Sequence, residues 1–472
     1  MELDTQVCER ARLARDPRFD GRFFIAVTST GIYCRPVCPA PSPKPENVRY
    51  YPSAAAAAEA GFRPCLRCRP EASPGTPAWL GASATVSRAL KLIGESALDN
   101  SGVETLAERL GMGSRHLRRL FLRYLGATPV AVAQTRRVHF AKNLIDETNL
   151  PMTQVAMAAG FGSIRRFNAT FQKLYGRTPS ELRKADAKAS NGHQAGHYVF
   201  RLGYRPPYDW ISLIEFLSPR ATPGVEVVTP EEYRRTIFME GHAGEFTVQP
   251  VPGKHSLELH IRYPNPAALF RVVERVRRIF DLGADPAEVS GHLGTDRRLK
   301  QVLKACPGLR VPGCWDGFEI AVRAVLGQQV SVKGATTLAG RLALQFGAPM
   351  PGGEGLLFPT AETLADADLS SIGLTKQRAR TIRELAIAVA GGSLKFDGSL
   401  DLETFEHKIT ELPGIGPWTA QYIAMRMGEP DAFPSGDLYL REIARDAEAW
   451  RPWRAYAAMY WWKNNHRQGA EK

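Results

Sequence analysis

Two close pairs of cysteines set the tightest constraint on this chain. Cys34-x3-Cys38 is followed, after 26 residues, by Cys65-x2-Cys68. Two such pairs joined by a loop can bring four thiolates to the corners of a tetrahedron, the geometry that Zn2+ takes. The surrounding segment, 1–77, is rich in Pro, Gly and Cys and nearly free of helical periodicity, so a small zinc domain is expected there. Cys8, Cys306 and Cys314 have no paired spacing and read as ordinary small residues. The charged start, MELDTQVCERARLARD, contains no apolar signal segment. No stretch approaches the roughly 20 apolar residues of a membrane span. A cytoplasmic, membrane-free protein is expected, in which thiols serve metals rather than disulfides.

A chain of 472 residues is too long for one core. Its charge is unevenly spread. Residues 1–184 hold 27 Lys and Arg against 15 Asp and Glu, whereas 185–472 hold 34 against 33. Almost the whole net charge of +13 therefore lies in the first two-fifths. An excess of this kind suits phosphate neutralisation, although a solvated basic surface produces the same count.

The basic part repeats itself. Ala107, Gly111 and Ser114 recur as Ala156, Gly160 and Ser163, and the Gly-x-Thr-Pro ending at Pro129 recurs at Pro179. Each copy reads as a helix, a glycine turn and a basic helix, the helix-turn-helix pattern. Ser114 is placed to cap the first basic helix. Arg115 and Arg118 in one copy, and Arg165 and Arg166 in the other, are the candidate DNA contacts. This all-α module is assigned to 78–184.

The segment 185–197, small and polar, reads as a linker. Strand-like alternation and one amphipathic helix then suggest an α+β domain over 198–284, and helices broken by Gly and Pro follow over 285–472. In that last region LPGIGPWTAQYIAMR (412–426) reads as two helices joined by a tight turn through Gly414 and Gly416. Such glycines let backbone N–H groups approach a phosphate. Trp418 and Tyr422, four apart, share a helix face. Asp437 follows in DAFPSGDLYLR (431–441) at what should be the start of another helix, where an N-cap is the plain reading.

Three resemblances sharpen this outline. TSTGIYCRPVCPA (28–40) and GFRPCLRCRP (61–70) resemble the methyl-acceptor domain of Ada-type proteins. That likeness implies Zn2+ on Cys34, Cys38, Cys65 and Cys68, with Cys34 accepting a methyl group from a DNA methylphosphotriester. GFGSIRRFNATFQKLYGRTPSELRK resembles the second half of AraC-type DNA-binding domains. Residues 198–472 resemble AlkA-type 3-methyladenine DNA glycosylases of the helix-hairpin-helix superfamily. By that likeness Asp437 is the catalytic aspartate, Trp418, Tyr422 and Trp462 line the base pocket, and Gln329 stands where relatives carry an apolar intercalating wedge. The residue after Pro417, a lysine in strand-cutting relatives, is Trp418, so an intact abasic site is implied. Only 12 residues separate Asp437 from Trp450, about ten fewer than in relatives, and a shortened helix there would draw Trp462 away from the pocket.

The expected protein is thus a multidomain α+β repair enzyme and transcriptional regulator. It would excise alkylated bases and sense damage through Cys34. Its partners would be alkylated and promoter double-stranded DNA, with RNA polymerase added when it activates, and it would work as a monomer. The alternatives are a regulator whose glycosylase half is inactive, and a zinc-stapled transcription factor in which Cys34 is structural only.

Overall fold

The computed structural model describes residues 3–75, 84–99, 101–183 and 196–470, the side chains of 466–470 aside. Most of the expected linker, 185–195, lies outside the described residues. The chain forms two compact units. One comprises Met1–Pro206, Val251–Glu274 and Leu282–Asp285, the other Pro207–Pro250, Arg275–Asp281 and Pro286–Lys472. This partition does not follow the division at 284/285 read from the sequence.

In the first unit, β1 (Phe24–Val27), β2 (Ile32–Cys34), β3 (Val48–Tyr51) and β4 (Arg63–Pro64) form one sheet in the order β3-β1-β2-β4. β2 and β4 run parallel, with Tyr33 opposite Pro64. The inward side chains Phe24, Ala26 and Tyr33 pack on Ala54 and Ala57 of the short helix Ala54–Glu59.

Helices follow. Val103–Arg109 and Ser114–Leu125 form the first helix-turn-helix, and Met152–Ala158 and Ile164–Tyr175 form the second. The 19-residue helix Pro129–Glu147 runs between them. The basic helices bury Leu117, Phe121 and Leu125 in one copy and Phe167, Phe171 and Tyr175 in the other, a face of helical period. Both end at a glycine with φ +65, Gly126 and Gly176, where a side chain is disfavoured.

The copies correspond at an interval of 50 residues through these helices, while Gly111 and Gly160 keep an interval of 49. The second turn is therefore one residue longer, and this corrects one expectation. Ser114 is the first residue of its helix and does not cap it. The capping position belongs to Gly113, which offers no side-chain hydrogen bond. In the second copy Ser163 does cap, its hydroxyl accepting from the Arg166 N–H at 3.2 Å.

Five further strands follow: β5 (His197–Gly203), β6 (Glu226–Val228), β7 (Tyr233–Met239), β8 (His242–Pro250) and β9 (Ser256–Arg262). In the first unit β5 pairs antiparallel with β9, and in the second β6, β7 and β8 form an antiparallel meander. The second unit is otherwise helical. Its helix Gly317–Leu326 is buried at every position except Arg323, as expected of a central helix. Its polar side chains are matched: Glu319 accepts from Arg235 at 2.6 Å and from Arg323 at 3.0 Å. Leu402–Thr410 and Pro417–Arg426 form the hairpin expected from the glycine turn, and Arg454–Ala470 is the last helix.

A second expectation is corrected here. No helix starts at Asp437. Turns occupy 437–443, and only a 3-10 helix, Ala444–Trp450, precedes the buried Trp450. The chain passes through these turns directly into the 3-10 helix, which ends on Trp450.

Candidate metal centre and candidate active site

The parallel register of β2 and β4 builds the four-cysteine cluster. β2 ends on Cys34, and the Cys65 N–H donates to the Tyr33 carbonyl at 3.0 Å, which sets the second pair beside the first. All four sulfurs lie within 4.8 Å of one another, with Cys65 and Cys68 buried and Cys34 and Cys38 half-exposed. Tetrahedral zinc with bonds of about 2.3 Å requires sulfurs about 3.8 Å apart, and this cluster is compact enough to supply them. None of the four is in a disulfide. The donor set fits Zn2+, which keeps four sulfurs deprotonated when bound. Cys34 and Cys38 are the less buried pair of the four.

The residues around the cluster were missed from the sequence. Arg35 donates its backbone N–H to the Cys68 sulfur at 3.3 Å and its guanidinium to the Cys68 carbonyl at 3.1 Å. The buried Asp20 holds that guanidinium in an ion pair, with one bond of 2.9 Å. A cation fixed beside the sulfurs offsets negative charge on the cluster. The hint was there, since Arg35 directly follows Cys34. Tyr33, on the other side of Cys34, shares a 3.0 Å hydrogen bond with His139 of the helix Pro129–Glu147, and burial pushes the His139 pKa down to about 4. Nothing in the spacing of Tyr33 and His139, 106 residues apart, signals that contact. Away from the cluster, burial and the nearby Asp4 push the Cys8 thiol up to about 11, in keeping with an inert residue.

On the helix-turn-helix pair, Arg115 and Arg118 are exposed on the first basic helix, as are Arg165 and Arg166 on the second. Arg118 is engaged at 3.1 Å by Glu104 of the preceding helix.

In the second unit the hairpin turn is fixed by contacts. Gly414 has φ +87, and a Cβ there would lie 2.1 Å from the Thr381 hydroxyl, which itself donates to the Pro413 carbonyl at 2.8 Å. Only glycine fits. Gly416 is the N-cap of Pro417–Arg426 and has open space around it. Gln328, also missed from the sequence, joins this turn to the segment carrying Gln329. Its amide donates to the Gly414 carbonyl at 2.9 Å and to the Thr419 hydroxyl at 3.1 Å. Gln329 itself is exposed and held at φ +53, a strained value for a side chain other than glycine.

Trp418 and Tyr422 come together on one helix face. The rings of Trp418 and Tyr422 stack 5.5 Å apart, within 7° of parallel. Burial pushes the Tyr422 phenol up, but the Arg426 and Arg220 guanidiniums outweigh it and hold its pKa below the usual value. Arg426 donates to the phenol oxygen at 3.0 Å. A Cβ on Gly436 would lie 3.5 Å from the Trp418 side chain, and the next residue, Asp437, is half-buried. Trp462 is not drawn away by the short segment, for its indole N–H donates to the Asp437 carboxylate at 3.0 Å.

Known proteins match along the whole length. Four family profiles fit in succession: "Metal binding domain of Ada" over 7–71, "Helix-turn-helix domain" over 106–185, "AlkA N-terminal domain" over 199–316, and "HhH-GPD superfamily base excision DNA repair protein" over 322–460. The chain is 42% identical to the "Probable bifunctional transcriptional activator/DNA repair enzyme AlkA" of Mycobacterium tuberculosis, over 98% of this chain and 97% of that protein. It is 35% identical to "DNA-3-methyladenine glycosylase 2" of Escherichia coli, over 56% of this chain and 96% of the relative. Among solved structures, a 3-methyladenine DNA glycosylase from Archaeoglobus fulgidus superposes with a TM-score of 0.50 at 22% identity, covering 57% of this chain and 98% of that one, a likeness of fold. With its zinc-site, helix-turn-helix and helix-hairpin-helix parts in this order, the chain belongs to the family of bifunctional transcriptional activator/DNA repair enzymes of the AlkA type.

Proposed function

We propose that this protein excises alkylated bases such as 3-methyladenine from double-stranded DNA, and takes a methyl group from a DNA methylphosphotriester onto Cys34 to switch its DNA binding. The observation that carries the first activity is the half-buried Asp437, whose carboxylate accepts from the Trp462 indole and whose neighbour Gly436 lies against Trp418 of the stacked Trp418–Tyr422 pair. A flipped, positively charged base stacks on electron-rich aromatic faces. The bond from C1′ to the base nitrogen breaks, the electron pair leaves with the base, and the Asp437 carboxylate stabilises the cationic sugar until water adds at C1′ and gives up a proton to solvent. Trp418 offers no amine at the position of a Schiff-base lysine, so the strand stays intact. The turn at Gly414 and Gly416 faces phosphate with backbone N–H groups at a helix N-terminus, and Gln329 fills the gap left by the flipped base.

At the other site the Cys34 sulfur attacks the methyl carbon. An S–C bond forms, the C–O bond to phosphate breaks, and a phosphodiester anion leaves. A thiolate becomes a thioether, so one negative charge is lost from a DNA-facing surface and repulsion from phosphate falls. Arg115, Arg118, Arg165 and Arg166 are the contacts that profit. The reading further takes the protein as a cytoplasmic monomer that meets RNA polymerase at its promoters, with domains at 1–77, 78–184, 198–284 and 285–472.

Release of 3-methyladenine from methylated duplex DNA by the native chain and by Asp437→Asn tests the enzyme. The variant is expected to lose about 100- to 1,000-fold in rate. Absence of release from both would leave the glycosylase half without activity. Labelled methyl uptake tests the acceptor, with one methyl per chain expected and none in Cys34→Ala.

A further inference from the structure

The carboxylate of Asp437 is held unevenly. Its Oδ1 accepts two hydrogen bonds, from the Tyr439 backbone N–H at 3.0 Å and from the Trp462 indole N–H at 3.0 Å. Among the described residues, Oδ2 has neither a hydrogen bond nor an ion pair. An aspartate at the start of a helix is ordinarily oriented by backbone N–H groups of that helix's first turn. Here the segment after Asp437 makes turns rather than a helix, and a single backbone N–H reaches the carboxylate. The last helix, Arg454–Ala470, makes up the deficit. Besides the bond from Trp462, the neighbouring Trp461 indole donates to the Tyr439 carbonyl at 3.0 Å, tying down the turn that supplies the other donor.

We infer that Trp462 is a positioning residue for base excision, its indole N–H standing in for the missing helix N-terminus by fixing Asp437 Oδ1 so that Oδ2 is presented to the sugar cation. This rests on the assignment of Asp437 above and adds to Trp462 a role that stacking does not require. Stacking uses the ring face and is indifferent to the N–H. Positioning uses the N–H and survives no replacement that lacks a donor. A carboxylate with one donor removed rotates among several orientations, and the reacting geometry is populated less often.

The two roles separate if the ring is kept and the donor deleted. Trp462 in the full-length chain is replaced by 3-benzothienylalanine, in which sulfur takes the place of the indole N–H at nearly unchanged ring size. Single-turnover release of 3-methyladenine from methylated duplex is measured beside the dissociation constant for a duplex bearing an abasic-site analogue. The expected result is a single-turnover rate about tenfold lower with DNA affinity unchanged within about twofold, since a hydrogen bond to a charged group carries about that factor or more. Trp462→Phe is expected to lose rate at least as much. A benzothienyl variant with the native rate, or one whose whole deficit lies in DNA affinity, overturns the inference and leaves the Asp437 assignment standing. Native protein that releases no base overturns the assignment itself, and the inference with it.

Discussion

The metal centre and the hairpin pocket solve the problem of holding a reactive group in opposite ways. At the metal centre four identical donors converge, Cys34 at the end of β2 and Cys65 directly after β4, and the proposed methyl acceptor Cys34 is one of the groups that build its own site. At the hairpin the proposed catalytic Asp437 builds nothing. It is steadied by one backbone N–H from its own turn and one indole N–H from Trp462, 25 residues on in the last helix. The first arrangement is closed and symmetric, so losing one member endangers all. The second is open and asymmetric, so its members can be removed one at a time with graded effect.

The sharpest test of that contrast is removal of zinc. Among the described residues Cys34, Cys38, Cys65 and Cys68 are the one group suited to hold it. The zinc domain has little apolar core of its own, with clusters of about five buried residues each around Phe23 and around Tyr33. A strong chelator should therefore unfold it, with a loss on the order of 10 kcal/mol, while base release persists. Limited proteolysis of 1–75 and glycosylase assays on one chelated sample check both halves. Base release that vanishes along with zinc would break the comparison.

Next in size is the hairpin turn. Gly414→Ala places a Cβ 2.1 Å from the Thr381 hydroxyl at φ +87, and a loss of about 3 to 4 kcal/mol in stability is expected. Gly416→Ala meets open space and should cost under about 1 kcal/mol. Thermal unfolding and duplex binding of the two variants give the measurement.

A third test concerns a contact of the metal centre. The buried His139 has its pKa pushed down to about 4, against about 6.5 in an unfolded chain. Its neutral form is the folded one, so the stability it contributes is complete above pH 6.5 and is lost as the pH falls through 4. The loss amounts to about 3 kcal/mol over that interval. His139→Gln should flatten the fall in denaturant midpoint between pH 6.5 and 4.5, a change that substitutions in the pocket should not reproduce.

Legibility followed the same division. The cysteine spacing, the repeated helical unit, the glycine turn and the Trp418–Tyr422 face are local patterns, and the fold honours each. What stayed hidden depends on partners far apart in sequence. Tyr33 meets His139 and Gln328 meets Gly414, through contacts that no periodicity encodes. The helix expected at Asp437 failed for a related reason. An N-cap signal is local, and here the residues after Asp437 turn into a 3-10 helix that buries Trp450.

The smallest expected effect turns on the two helix-turn-helix copies, where sequence similarity misled by one position. Ser114 and Ser163 look equivalent, yet Ser163 caps its helix and Ser114 sits inside one. Ser163→Ala removes an acceptor from the Arg166 N–H and should cost about 1 kcal/mol. Ser114→Ala removes no such bond, and alanine is the better helix former, so its effect should lie within about 0.5 kcal/mol of zero or be slightly stabilising. Chemical denaturation of both variants, followed at a probe in this region, decides the matter. Equal losses would mean that the first copy also uses its serine as a cap and that the two turns are the same length. Unequal losses would mean that one inserted residue shifted the start of the second basic helix relative to its serine.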